Sequence, residues 1–157
     1  MLNGNGIRVS LWVSGCEHCC NQCQNPQTWD VDSGIQFDKE SENELFEALS
    51  EEYVSGLTLT GGDPLHANNL VDVLNLVNKI RLLLPKKTIW IYSGYEWDEI
   101  ETNHIRREIV SKCDVLVDGR YDESQKDITL VWRGSSNQRV IDIQQTIKNN
   151  KIMLYAQ

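Results

Sequence analysis

The 157-residue chain reads as an α/β protein, a partial and open barrel of parallel strands, and three observations point there. Apolar runs of strand character alternate with segments of helical periodicity almost throughout. Each strand-like run stops at glycine or polar residues, as turns require. A strand-helix-strand unit takes about 30 residues or more, so the chain holds about five to six strands and falls short of an eight-unit barrel. Residues 1–157 are expected to form a single domain.

Residues Ile7 to Val13 alternate apolar with polar or mixed positions and run into Ser14-Gly15, a strand leading to a cysteine-rich loop. Ser41-Glu42-Asn43-Glu44 has the form of a capping box, and Leu45, Ala48, Leu49 and Tyr53 follow at helical spacing until Gly56. Leu57 to Thr60 is a short strand stopped by Gly61-Gly62-Asp63-Pro64. Leu70, Val73, Leu74, Val77 and Leu84 mark a second helix, begun near Asn68 or Asn69 and ended by Pro85. A third strand, Thr88 to Tyr92, breaks at Ser93-Gly94. Trp97, Ile100, His104, Ile105 and Ile109 predict a third helix, and Asp114 to Val117 a fourth strand halted by Asp118-Gly119. Beyond it, Ile128 to Trp132 reads as extended, Ile141 to Lys148 as helical and Lys151 to Ala156 as extended.

Parallel strands of this kind carry their reactive residues at the carboxyl ends. The cysteine loop, Gly61-Gly62-Asp63-Pro64, Ser93-Gly94 and Asp118-Gly119-Arg120 each follow a predicted strand. Four polar or glycine-rich segments therefore converge on one rim.

Composition excludes several classes. A formal net charge of -8 argues against a nucleic-acid surface, which would present a basic stripe. No apolar run approaches the ~18 residues of a membrane span, and Met1-Leu2-Asn3-Gly4 has neither the basic flank nor the apolar core of a signal peptide. A cytoplasmic location is expected. In a reducing compartment, five cysteines favour metal or redox chemistry over structural disulfides.

The cysteines carry the chemistry. Cys16, Cys20 and Cys23 stand at CxxxCxxC spacing within Ser14-Gly15-Cys16-Glu17-His18-Cys19-Cys20-Asn21-Gln22-Cys23. Three thiolates on one short loop suit a [4Fe-4S] cluster whose fourth iron stays open to another ligand. The same run also contains two abutting CxxC pairs, Cys16 with Cys19 and Cys20 with Cys23, open to zinc or to a redox disulfide. Four sulfurs within eight residues hardly reach four tetrahedral corners without strain. Cys19 is then a spare thiol, and Cys113 reads as a small buried hydrophobe. His18 lies off the three-cysteine spacing and is expected to face solvent, while His66 and His104 read as helix-surface or core residues.

The cysteine loop after the first strand and Gly-Gly-Asp-Pro after the second resemble the radical S-adenosylmethionine (SAM) enzymes. That resemblance implies Cys16, Cys20 and Cys23 as cluster ligands, and SAM chelating the fourth iron through its amine and carboxylate. One electron from the reduced cluster breaks a carbon–sulfur bond in that family, giving methionine and a 5'-deoxyadenosyl radical that abstracts hydrogen. Gly61 and Gly62 let backbone carbonyls approach the SAM ammonium, with Asp63 standing where the family more often has glutamate. Gln22 occupies the place of a common adenine-packing aromatic, and its backbone, with Cys23 and Gln24, is a candidate for the adenine edge. Asp118 and Arg120 are candidates for the methionine or ribose end, and Ser93 for a further contact. Each has an ordinary alternative, Asp118 as a turn residue and Arg120 as a solvated cation. No residue is expected to act as general acid or base. Trp12, Trp29 and Trp90 are candidates to shield the cluster or to fill core volume.

Within that superfamily the chain is similar to the glycyl-radical activases that serve anaerobic ribonucleoside-triphosphate reductases. The likeness rests on Asn3-Gly4-Asn5-Gly6-Ile7-Arg8, with Asn5 in place of a usual proline, on Cys23 to Trp29, on Ser33-Gly34 and on Gly61 to His66. It extends through Val115 to Gly119 and, most distinctively, Trp132-Arg133-Gly134-Ser135-Ser136-Asn137-Gln138. It implies a glycyl radical formed on the reductase large subunit, with a flavodoxin-like electron donor. The alternatives are an activase of another glycyl-radical enzyme, such as pyruvate formate-lyase, and a non-catalytic zinc or iron–sulfur binding protein.

Overall fold

The computed structural model describes residues 3–155, so Met1, Leu2 and the Ala156 end of the last expected strand lie outside the described residues. Its elements run β1 (Arg8–Val13), α1 (Lys39–Ser50), β2 (Gly56–Gly61), α2 (Leu70–Leu83), β3 (Thr88–Tyr92), α3 (Trp97–Glu101), α4 (His104–Ser111), β4 (Val115–Asp118), β5 (Arg139–Asp142) and α5 (Ile143–Asn149). The strands form one sheet in the order β1-β2-β3-β4-β5. β1 to β4 are mutually parallel, with Leu11 opposite Leu59 and Leu59 opposite Ile91. The sheet is open, with β1 and β5 as its two edges.

The all-parallel expectation fails at β5, which pairs antiparallel with β4, Leu116 opposite Ile141. The cause lies in the connection. Residues 119–138 contain no α-helix to carry the chain back across the sheet, so it re-enters at the end it left. Ile128 to Trp132 is not extended either, because Asp127 takes the Thr129 N–H and hydroxyl in a tight turn and leaves Ile128 in solvent. The expected helix from Ile141 starts at Ile143, where the Asp142 side chain accepts from the Gln145 N–H and caps it. The final stretch contributes an isolated bridge between Leu154 and Ile141.

Other boundaries shift for local reasons. Asp38, not Ser41, caps α1, accepting from the Ser41 N–H at 2.9 Å. The expected third helix is two, since the Asn103 side chain accepts from both Ile105 and Arg106 N–H groups and starts α4 afresh.

The strands divide their side chains by period two. Leu57, Leu59, Ile89, Ile91, Leu116 and Ile141 face the helices and join Leu49, Val77, Ile80 and Ile109 in the main core. The opposite face carries a smaller cluster of Trp90, Val115, Val117 and Val140, capped by Trp132 and Tyr155. Helices therefore cover one face, and loops cover the other. Among the described residues no helix is long and apolar enough to cross a membrane.

Candidate functional site

The cysteine loop leaves β1 at the carboxyl-end rim and is pinned at its base. Gly15 donates its N–H to the Thr28 carbonyl at 2.8 Å, and Cys16 to the Trp29 carbonyl at 3.1 Å. Cys16, Cys20 and Cys23 are half-buried free thiols lining an open cleft of about 150 Å³, while Cys19 is exposed and off its wall. The CxxxCxxC register, not the paired CxxC reading, thus faces the cleft. Burial pushes the Cys16 thiol up to about 11 and raises Cys20 as well. Among the described residues, no three His, Cys, Asp or Glu side chains form a group that could hold a metal ion.

The Gly61-Gly62 turn forms the opposite lip. Gly61 sits at φ +107°, and a Cβ on Gly62 would come within 2.6 Å of the Gly15 carbonyl oxygen and 2.9 Å of that of Thr28. No larger residue fits. The backbone locks the lip to the loop, Gly62 N–H donating to Val13 at 2.7 Å and Asp63 N–H to Gly15 at 2.8 Å. The donor set of the cleft, three thiols beside a half-buried glycine turn, fits a thiolate-held iron–sulfur cluster.

Residues 2–141 match the family described as a 4Fe-4S single cluster domain. The chain is 44% identical over 142 residues to the anaerobic ribonucleoside-triphosphate reductase-activating protein of Escherichia coli K12, covering 89% of this chain and 91% of that one. It is 40% identical to the protein of that name from Pasteurella multocida, over 88% and 89% of the two chains. It is 41% identical to the one from Enterobacteria phage T4, over 88% and 86%. The chain belongs to the anaerobic ribonucleoside-triphosphate reductase-activating protein family. No solved structure matches it significantly.

Against that family background, the expected ligand contacts divide into two groups. Gln24, Gly61, Gly62, Asp63 and Ser93 line the cleft with the three cysteines, whereas Gln22, Asp118 and Arg120 do not. Gln22 is exposed, at φ +57°. The Asp118 carboxylate is buried and bound by Arg139 at 3.0 and 2.5 Å and by the Trp97 N–H at 2.9 Å. It joins β4, β5 and the start of α3. Arg120 pairs at the surface with Glu99, whose carboxyl it holds below the usual range. Asp63, though on the wall, spends its oxygens inside the protein, accepting from Ser93 Oγ, Leu65 N–H and Gly94 N–H.

Sequence reading missed Asn25, Tyr121 and Gln138 as cleft residues. Gln138 had a signal, since it ends the Trp132 to Gln138 motif. Its Oε1 accepts from Gly134 and Ser135 N–H groups, and its Nε2 donates to the Gly119 carbonyl at 2.9 Å. That one side chain fastens the motif to the end of β4. His18 also departs from expectation. Its side chain is 4% exposed and bonded to Asp63. Of the candidate tryptophans, Trp29 lines the cleft, Trp12 is about half exposed on the edge strand, and Trp90 is buried against Trp132 and Tyr155.

Proposed function

We propose that this chain is a single-domain radical SAM activase that holds a [4Fe-4S] cluster on Cys16, Cys20 and Cys23. It cleaves SAM and generates a glycyl radical on the large subunit of an anaerobic ribonucleoside-triphosphate reductase. The observation that carries the reading is that those three thiols, and not Cys19, share one cleft with the Gly61-Gly62 turn. Three thiols in one cleft suit a cluster with one open iron better than a structural zinc site, which takes four protein ligands. When bound, the reduced cluster supplies the electron that splits SAM, and the adenosyl fragment takes a hydrogen atom from the partner's glycine.

The chain's own groups position the reactants. Gly61 and Gly62 offer backbone to the amino-acid end of SAM at the lip facing the thiols. Gln24 lies on the wall beside Cys23, within reach of the adenine edge. Trp29 and Val117 present apolar surface to the cleft and exclude water. Asp118 and Arg120 act from behind the wall, Asp118 by bracing the β4 end and Arg120 by holding α3 through Glu99. The open sheet leaves a side through which a glycine-bearing loop of the partner can enter, and a flavodoxin-like protein of the cytoplasm supplies the electron.

The test is anaerobic. Purified protein should carry about four irons and four sulfides per chain. Mixed with the reductase large subunit, reductant and SAM, it should yield a glycyl electron-spin signal. Stoichiometric zinc without SAM cleavage overturns the proposal, and an intact cluster that cleaves SAM but gives no glycyl signal overturns the partner.

A further inference from the structure

We infer that His18 and Asp63 form a positioning latch that fastens the cysteine loop to the glycine turn, so that the cluster ligands and the SAM-binding lip are set by one contact. This rests on the function proposed above. His18 sits between Cys16 and Cys20, and its imidazole Nε2 lies 2.7 Å from Asp63 Oδ2, with the two side chains 4% and 1% exposed. The Asp63 oxygens already accept from Ser93, Leu65 and Gly94, so Nε2 is the donor. A buried donor–acceptor pair of this kind is costly to leave half-made.

Three strand exits meet at this pair. Asp63 follows β2, and Ser93 and Gly94 follow β3. Residue 94 has to be glycine, because a Cβ there would come within 2.3 Å of the His18 ring. Tyr95 meets the imidazole edge-on at 4.4 Å, and its hydroxyl donates to the carboxylate of Glu17, the other residue of the loop's first turn. Arg106 from α4 holds Tyr95 from behind, its guanidinium 3.6 Å from the ring centroid and its Nε–H donating to the Leu65 carbonyl. Glu17 and His18 are thus both gripped by the β2 and β3 exits, while the thiols on either side stay free.

The latch reaches the ligand sulfurs through the chain. His18 stands two residues from Cys16 and two from Cys20, so anchoring its ring anchors the backbone that carries both thiols. Fixing the ring fixes how far those sulfurs are held from solvent, and solvent exposure is one of the quantities that set a cluster's reduction potential. His18 and Asp63 are therefore positioning residues, acting through Cys16 and through the Gly61-Gly62 backbone.

The test compares His18→Phe, which keeps a ring against Tyr95 but has no donor, with His18→Gln, whose amide can still donate to Asp63. In anaerobically loaded protein, His18→Phe should shift the cluster midpoint potential away from the wild-type value. It should also weaken SAM binding by about tenfold, the effect expected for a group that orients ligands. In metal-free protein, the same variant should speed alkylation of Cys16 and Cys20 several-fold, a readout independent of activity. His18→Gln should recover most of each effect. A His18→Phe protein matching wild type in potential, SAM affinity and thiol protection overturns the latch alone, as does a folded His18→Gln protein no better than His18→Phe. Wild-type protein that takes up no cluster overturns the function beneath it and the latch with it.

Discussion

At the amino ends of the strands the sheet is capped by a half-buried cation, whereas at the carboxyl ends a cleft is left around three thiols. Arg8 at the floor makes five hydrogen bonds, to Thr58 Oγ1, Thr88 Oγ1 and the carbonyls of Asn5, Leu57 and Thr88, matching the five donors of a guanidinium. It also lies 5.4 Å from the Trp90 ring centroid, and burial brings its pKa down to about 10. At the rim, Asp63, Asp118 and Gln138 are equally well satisfied, yet each turns its bonds inward and leaves sulfur or glycine backbone facing the cleft. The floor spends polar groups on stability. The rim spends them on holding reactive atoms still, and the two roles separate along the strands of a single sheet.

The sharpest test of that division is at the cysteines. Cys16→Ala, Cys20→Ala or Cys23→Ala should each reduce SAM cleavage to the background of cluster-free protein, with iron content falling in parallel. Thermal unfolding of the metal-free protein should hardly change. A cysteine variant as destabilised as a floor variant breaks the comparison. The floor gives the converse result. Arg8→Met strips partners from two hydroxyls and three carbonyls, at a cost of about 3 kcal/mol. For a chain of this size that lowers Tm by roughly 6 to 12 °C, while cluster uptake at low temperature should match wild type.

How far the sequence reveals this depends on how far apart the cooperating residues are. β3 is read at its observed bounds because an apolar run between Lys87 and Ser93-Gly94 needs no distant information. The cysteine register was legible for the same reason, since spacing within one loop fixes which thiols share a wall. Ser41-x-x-Glu44 imitates a capping box, but Asp38, three residues earlier, takes the role. β5 was hidden because its four residues are too short to show a period and its orientation depends on the residues 119–138 that precede it. The His18–Asp63 pair spans 45 residues of sequence and Arg8 with Thr88 spans 80, so no local pattern announces either.

The Trp132 to Gln138 motif refines the comparison, since it is distinctive in sequence yet structural in its contacts. Gln138→Ala leaves the Gly134 and Ser135 N–H groups and the Gly119 carbonyl without their side-chain partners, a local loss of about 1–2 kcal/mol. Amide exchange should quicken across residues 119–138 and remain slow in β2 and β3, because the segment can open without the core. Exchange that rises equally throughout the sheet would place this motif with the floor rather than the rim.

The smallest effect is expected at the two remaining thiols, neither of which lines the cleft. Cys113 is fully buried, its Sγ–H pointing at the Ile109 carbonyl, and burial pushes its pKa to about 12. At pH 8 its thiolate fraction is on the order of one in ten thousand, so alkylation has to wait for unfolding. Cys19 is exposed and should react first in native, metal-free protein. Because its side chain stands off the cleft, Cys19→Ala should keep full iron content and SAM cleavage. Mass spectrometry of the alkylated protein orders the thiols directly. If Cys19 were protected by cluster loading as strongly as Cys16, or if Cys19→Ala lost iron while Cys20→Ala kept it, the ligand register would move by one residue. The wall facing the Gly61-Gly62 turn would then have to be redrawn.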